Sequence, residues 1–286
     1  MGVNVTLQTG ELSSGSFSRL AKYITAELGI KMPESKLTMV HSRLLRRVRE
    51  LDLRSVEDYV EYFFASSHAE EREAFINAVT TNKTDFFREP AHFDFLTRVA
   101  IPSIAGGGAS SFGGFLKVWS AGCSSGQEPY TLAMALNEYA LLRPGFDYAI
   151  LGTDISTKML EHARTGIYHK SQVEPVPADL SRKYLLLSRD RADGLVRIVP
   201  DLRRKITFSP LNFMDEDYEI RDMFDVVFFR NVLIYFDRPT QEAVINKICR
   251  NLASGGYLFV GHSESLAGLD VPVKLVKTSV FRKPLE

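Results

Sequence analysis

Phe115-Leu116-Lys117-Val118-Trp119-Ser120-Ala121-Gly122-Cys123-Ser124-Ser125-Gly126-Gln127-Glu128-Pro129-Tyr130 is the stretch that decides the fold. Phe115 to Ser120 reads as a short apolar strand. The small residues after it let the chain turn tightly and let backbone approach a ligand closely. Pro129 stands where the first residue of a helix belongs, and that helix is expected to run to Leu141. In a doubly wound sheet the turn between first strand and first helix is where nucleotide-like cofactors sit. The pattern is not G-x-G-x-x-G, because Ala121 replaces the first glycine, and such turns also serve as plain connections.

Downstream the alternation continues. Strands are expected at Tyr148 to Thr153, Ile206 to Ser209, Phe224 to Phe229 and Tyr257 to Gly261, with a last strand over Leu275 to Arg282. Helices are expected at Lys158 to Arg164 and Thr240 to Leu252, the latter closed by Gly255-Gly256. Phe224 to Phe229 is nearly all apolar, as a strand buried on both faces should be. The alternation predicts an α/β fold: a parallel, doubly wound sheet covered on both faces. Residues 169–205 interrupt it. There Asp193-Gly194 separates the β-prone runs Lys183 to Leu187 and Leu195 to Val199, a hairpin signal. The expectation is a small antiparallel insertion, either a docking strip for an extended peptide or a surface elaboration.

Upstream, Phe17, Leu20, Ala21 and Ile24 recur at helical spacing, as do Leu37, Val40, Leu44, Val48 and Leu51. Ser55 with Asp58, and Ser67 with Glu70, read as helix starts. The N-terminal part is therefore an all-helical domain. The polar run 80–88 ends it, and Pro90 opens a further helix to about Val99. Gly106 to Gly108 and Gly113-Gly114 mark a flexible loop. The domains are expected at 1–88 and 89–286.

Of 286 residues, 45% are hydrophobic and 24% charged, the profile of a soluble globular chain with a real core. Acids and bases balance at 35 each, which gives no global pull toward nucleic acid or a membrane surface. Two distant cysteines form neither a disulfide framework nor a zinc spacing and fit a reducing, cytoplasmic setting. The N-terminus has no apolar signal core, and no run suffices to span a bilayer.

Glu128 would repel a pyrophosphate and suit a cationic ammonium or sulfonium ligand such as S-adenosylmethionine (SAM), or it serves the helix dipole. Asp154, after the second strand, is placed to accept ribose hydroxyls, or it caps the next helix, a role open to Ser156 as well. Asn212 and Phe213 follow the third strand, where an amide and a ring suit adenine; a turn Asn and a core Phe are the alternative. After the fourth strand, Val232 and Leu233 replace the Asn/Asp-Pro-Pro-aromatic run of base methyltransferases and argue against a base substrate. Tyr235 either reaches the methyl acceptor or is a core tyrosine.

Four segments, 78–89, 124–130, 229–236 and 261–264, resemble the chemotaxis receptor methyltransferase (CheR) family, and the likeness runs from about Phe17 to Lys283. The resemblance implies an N-terminal helical domain, a SAM-binding domain and an inserted β-subdomain. It implies SAM contacts at Asn82, Thr84, Arg88, Glu128, Asp154, Asn212, Phe213, Asn231 and Val232, with S-adenosylhomocysteine as product. Where the family often shows Gly-Glu-Glu-Pro, this chain has Gln127, one charge fewer at the mouth. Arg88 becomes a partner for the carboxylate of SAM or of the substrate and, with Tyr235, a catalytic candidate. The implied reaction esterifies receptor glutamates. A free Glu has a pKa near ~4.3, so no general base is needed and no His/Asp dyad is expected. Lys36, Arg43, Arg46 and Arg47, clustered on one helix, are candidates for docking the receptor's cytoplasmic domain, and the insertion for binding a receptor C-terminal peptide. A monomer is expected. A methyltransferase of another substrate and a non-catalytic SAM-sensing module are the competing readings.

Overall fold

A computed structural model describes residues 11–65, 69–106 and 113–285. By packing the chain divides into two units, one through Thr81 together with Tyr235–Asp237, the other Asn82–Ile234 with Arg238 onward. The expected helix-start residue Ser67 and most of the expected glycine loop lie outside the described residues.

The first unit is built on four helices, α1 Ser14–Leu28, α2 Leu37–Glu50, α3 Val56–Ala65 and α4 Ala69–Val79. Ser13 caps α1 by accepting from the Ser16 N–H, and Ser55 accepts from the Asp58 N–H at 3.1 Å, the expected start of α3. The stripe Val40, Leu44, Val48 is fully buried with Leu20, Ile24, Tyr59 and Phe75. The basic residues of α2 are not a free face. Arg43 donates to the carbonyls of Val79 and Thr80 and to Thr81 Oγ1. Arg47 forms a fork to Glu71, 3.2 and 2.5 Å, and Glu71, 5% exposed, also accepts from Tyr59 Oη at 2.6 Å. Arg46 pairs with Glu50 at 2.8 Å and stays 69% exposed. Tyr235 packs in this unit as well: its carbonyl accepts from Lys31 N–H at 2.9 Å, and Lys36 Nζ lies 5.8 Å from its ring centre.

The second unit carries strands β1 Phe115–Ala121, β2 Asp147–Asp154, β3 Ile167–His169, β4 Leu185–Leu187, β5 Leu195–Ile198, β6 Ile206–Pro210, β7 Phe224–Phe229, β8 Leu252–Val260, β9 Lys274–Lys277 and β10 Val280–Arg282. Seven described strands form a sheet in the order β6-β2-β1-β7-β8-β10-β9. The first five run parallel, and β10 and β9 close the edge antiparallel. All of β7 is buried. Each Phe there is worth roughly 2–3 kcal/mol of burial. Its one charge, Asp225, is tolerated because it accepts from Lys117 N–H on β1 at 2.8 Å, although burial raises its pKa.

Some boundaries differ from expectation. Pro129 is not the first helical residue: the helix is Gln127–Leu141, capped by Gly126. The helix after Pro90 does not stop near Val99 but continues to Gly106 through a π turn at Leu96–Ala100. Pro102, lacking an N–H and crowding the carbonyl of Arg98, accounts for that widening. The expected last strand is two, β9 and β10, folded at Ser279 with φ 58°. The insertion has three strands, ordered β3-β5-β4. Lys183 and Tyr184 end a helix rather than begin a strand, and Asp193 closes a 3-10 turn instead of forming a two-residue hairpin. Among the described residues no helix is long and apolar enough to cross a membrane.

Candidate cofactor and methyl-transfer site

Parallel pairing brings the carboxyl ends of β6, β2, β1, β7 and β8 to one rim, and the strand order reverses between β1 and β7. That switch point is where α/β sheets open a ligand crevice. The loop after β1 starts at Gly122, φ 78°, where a Cβ would stand 2.6 Å from Val232 Cγ2 and 3.9 Å from the Phe213 ring. Only glycine fits there, and Val232 and Phe213, expected from the sequence at this site, converge on it. At Gly126, φ 95°, a Cβ would strike Ala163 Cβ at 2.8 Å.

Asp154, buried, accepts from Ser124 N–H at 2.8 Å and from Ser156 N–H at 2.9 Å. Ser156, not Asp154, caps the following helix by accepting from Met159 N–H at 3.3 Å. Burial pushes the Asp154 carboxyl up, against these two donors and the Ile155 N–H. Glu128 accepts from Ser120 Oγ at 2.7 Å and from Arg230 Nη1 at 3.1 Å. Its pKa is raised, with desolvation outweighing the pull of Arg230. Asn212 accepts from Met214 N–H at 3.0 Å in a local turn, and Phe213 packs on Phe229, ring centres 4.9 Å apart.

The linker 82–88 joins this rim. Asn82 O accepts from Ser124 Oγ at 2.9 Å, and Phe87 N–H donates to Thr131 Oγ1 at 3.1 Å. Thr84 is half-buried on the same linker. No hydrogen bond or ion pair among the described residues engages the Arg88 guanidinium.

Three residues of the network at this rim escaped the sequence reading. Arg230, its side chain 2% exposed, lies between Glu128 and Glu89, each at 3.1 Å, and donates to the carbonyl of Arg88. Glu89 also accepts from His262 N–H at 3.2 Å. Glu264 accepts from Asn231 N–H at 2.8 Å and Gly261 N–H at 2.6 Å, tying the ends of β7 and β8. Acids in two of the quoted segments and a lone arginine after an apolar strand were the available signal. A His–carboxylate approach occurs beside this network without a hydrogen bond, since His92 Nδ1 has no partner among the described residues, so it is not the dyad that the sequence reading excluded. Pro90 starts a helix that sets Glu89 three residues from His92, 3.4 Å apart. Burial and Arg230 lower His92 to about 4, so it is neutral at physiological pH.

Strain collects here. Phe87, Glu89, Ser124 and Asn231 all have φ between 49° and 61°, at of order 1–3 kcal/mol each. Each is held: Phe87 by Thr131, Glu89 by Arg230, Ser124 by Asp154 and Asn231 by Glu264.

Residues 82–282 match the family described as "CheR methyltransferase, SAM binding domain", and 15–80 match "CheR methyltransferase, all-alpha domain". The chain belongs to the CheR methyltransferase family. Similar relatives include the "Chemotaxis protein methyltransferase" of Escherichia coli K12, 36% identical over 91% of this chain and 87% of that one. The Borreliella burgdorferi protein of the same description is 36% identical over 93% and 92%. "Chemotaxis protein methyltransferase 2" of Pseudomonas aeruginosa is 35% identical over 93% and 91%. Membership makes SAM the cofactor. The residues present fit it: a glycine that no side chain can replace, and two buried acids for a ligand carrying an ammonium and a sulfonium. Glu128 and Asp154 would hold its amine and its sugar.

A cation stabilises the ionised form of a nearby acid. Glu128 has a raised pKa, so it takes up a proton above the ordinary carboxylate range as pH falls. Affinity for SAM is therefore expected to weaken as pH falls from neutral, before ordinary carboxylates titrate. Calorimetry at several pH values checks this, and affinity that is flat or tightens toward acid would contradict it.

Proposed function

We propose that this CheR-family methyltransferase esterifies glutamate side chains of chemoreceptors, in the cytoplasm, as part of chemotaxis. The observation supporting the acceptor's chemistry is the division of charge at the rim. Arg230 is consumed by two acids, while the Arg88 guanidinium is engaged by no described residue and is suited to a carboxylate in a bidentate pair. Bound SAM supplies an activated methyl group. The protein's own part is positioning. Arg230 fixes the backbone of Arg88, and Arg88 orients the acceptor carboxylate. No residue need remove a proton, because a glutamate is already ionised at neutral pH, at a pKa near ~4.3. Alignment and stripping of water from the carboxylate account for the rate. Methyl-labelled SAM with receptor cytoplasmic fragments should leave label in a base-labile ester. Label confined to a small-molecule product would refute the reading.

For the receptor we assign α2 and Lys36, which the structure places in the 3-10 turn just before it, with a revision of how these residues divide. Arg43 and Arg47 are occupied within the helical unit, so Lys36 and the exposed Arg46 are the docking charges. Arg46→Glu is expected to raise KM several-fold and weaken its salt dependence, with melting unchanged. Arg47→Glu instead leaves Glu71 buried beside a like charge, costing about 3–5 kcal/mol, read as a lowered melting temperature. Equal effects of the two on KM alone would contradict this division. The insertion offers an edge strand, β4, with Leu186 and Leu187 exposed, suited to an extended receptor tail. Calorimetry with tail peptides tests it, and silence from all of them would remove it.

A further inference from the structure

Glu89, His92 and His262 have ligand atoms that lie within 4.8 Å of one another, beside the acids assigned to the cofactor rather than among them. His92 Nε2 is 2.8 Å from Ser279 Oγ, and that hydroxyl donates its only proton to Thr278 O at 2.7 Å. The hydroxyl therefore accepts from His92, which places the ring proton on Nε2 and leaves a bare lone pair on Nδ1. His92 is 2% exposed, and among the described residues Nδ1 is buried with no hydrogen-bond partner. What faces it is another electron-rich atom, a Glu89 carboxylate oxygen at 3.4 Å. Two such atoms turned toward each other out of water are unfavourable unless a cation lies between them.

The spacing suits one. Ligands at about 2.0–2.1 Å around a tetrahedral zinc stand about 3.4 Å apart, the separation already held by His92 and Glu89. The His262 ring, exposed and edge-on to His92 at 4.8 Å between centres, has the freedom to close the third side. Outer partners are in place too. Ser279 fixes the His92 tautomer, while Arg230 and the His262 N–H hold Glu89, as hydrogen-bonded ligands in metal sites are held.

We propose that Glu89, His92 Nδ1 and His262 bind a divalent transition cation of the zinc class, with a fourth position open to solvent. Two imidazoles and one carboxylate select Zn2+, Co2+ or Ni2+ over Mg2+ and Ca2+. The positive charges of Arg230 and Lys277 near His92 oppose the cation, so an affinity of about micromolar is expected rather than that of a closed structural zinc site. Occupancy would clamp the helix that starts after Pro90 to the turn following β8 and would share Glu89 with Arg230. The site does not depend on which acceptor is methylated.

The test is Zn2+ competition against a chromophoric chelator, using the full chain stripped with EDTA, together with Co2+ absorption and melting. One equivalent is expected to bind and to raise the melting temperature. His262→Ala, at an exposed side chain, should weaken binding at least about tenfold. His169→Ala, an exposed histidine on β3, should leave it unchanged. No binding by the native chain, equal binding by His262→Ala, or equal competition by Mg2+ would overturn the proposal.

Discussion

Replacing Arg230 by methionine is expected to lower the stability of the sheet unit by about 3–5 kcal/mol and to take cofactor binding with it. The side chain is 2% exposed and is the shared partner of two carboxylates, Glu89 and Glu128. Removing it leaves both acids in a desolvated space, beside Phe93 and Phe228, over whose rings the guanidinium now lies at 5.6 and 5.9 Å. In a unit of this size the loss corresponds to a melting temperature lower by about 10 °C. Arg230→Lys keeps the charge without the fork and should fall between the two. The damage should reach the site because the same guanidinium holds the carbonyl of Arg88 and steadies Glu89, whose φ is 57°. Calorimetric melting with S-adenosylhomocysteine titration reads both effects. A variant melting within about a degree of the native chain and binding normally would show that the network is incidental.

Arg88→Ala is expected to cut kcat by about 10²–10³, equivalent to about 3–4 kcal/mol of lost stabilisation, with the fold intact. Arg88 contributes its carbonyl to Arg230, which alanine retains, while its guanidinium is engaged by no described residue. Stability should therefore change by less than about 1 kcal/mol. The distribution between parameters says which carboxylate the guanidinium meets. Lost turnover with unchanged S-adenosylhomocysteine affinity assigns it to the acceptor, and lost affinity assigns it to the cofactor. Unchanged kcat and KM would remove Arg88 from the mechanism.

How much of this was legible in the sequence depended on range. The parallel strands could be read because each is a short apolar run between turn signals, and β7 is the extreme case. The β3 strand, three residues long, carries no period of its own and exists because it pairs with β5. The fold-back between β9 and β10 was hidden because Ser279, not glycine or asparagine, takes the left-handed conformation. Pro129 was misplaced because Gly126, φ 95°, supplies the helix start two residues earlier than proline statistics suggest. At the site, Glu128 stands in the first turn of the helix after β1 and Asp154 at the end of β2, where their use follows from topology. Arg230 gave only the signal of a lone arginine after an apolar strand, which could not name its acids, 102 and 141 residues away in sequence. The α2 arginines show the opposite failure. Their cluster looked like one exposed docking face, yet Arg43 and Arg47 turn inward to carbonyls and to Glu71.

The most direct test of the cofactor geometry is the affinity for S-adenosylhomocysteine of native chain, Glu128→Gln, Asp154→Asn and the double variant, each shown to be folded by its melting curve. Each single change is expected to weaken binding at least about tenfold, and the double change at least about a hundredfold. Native-like affinity in the folded double variant would mean that the two buried acids do not hold the ligand, and the account of the site would be wrong.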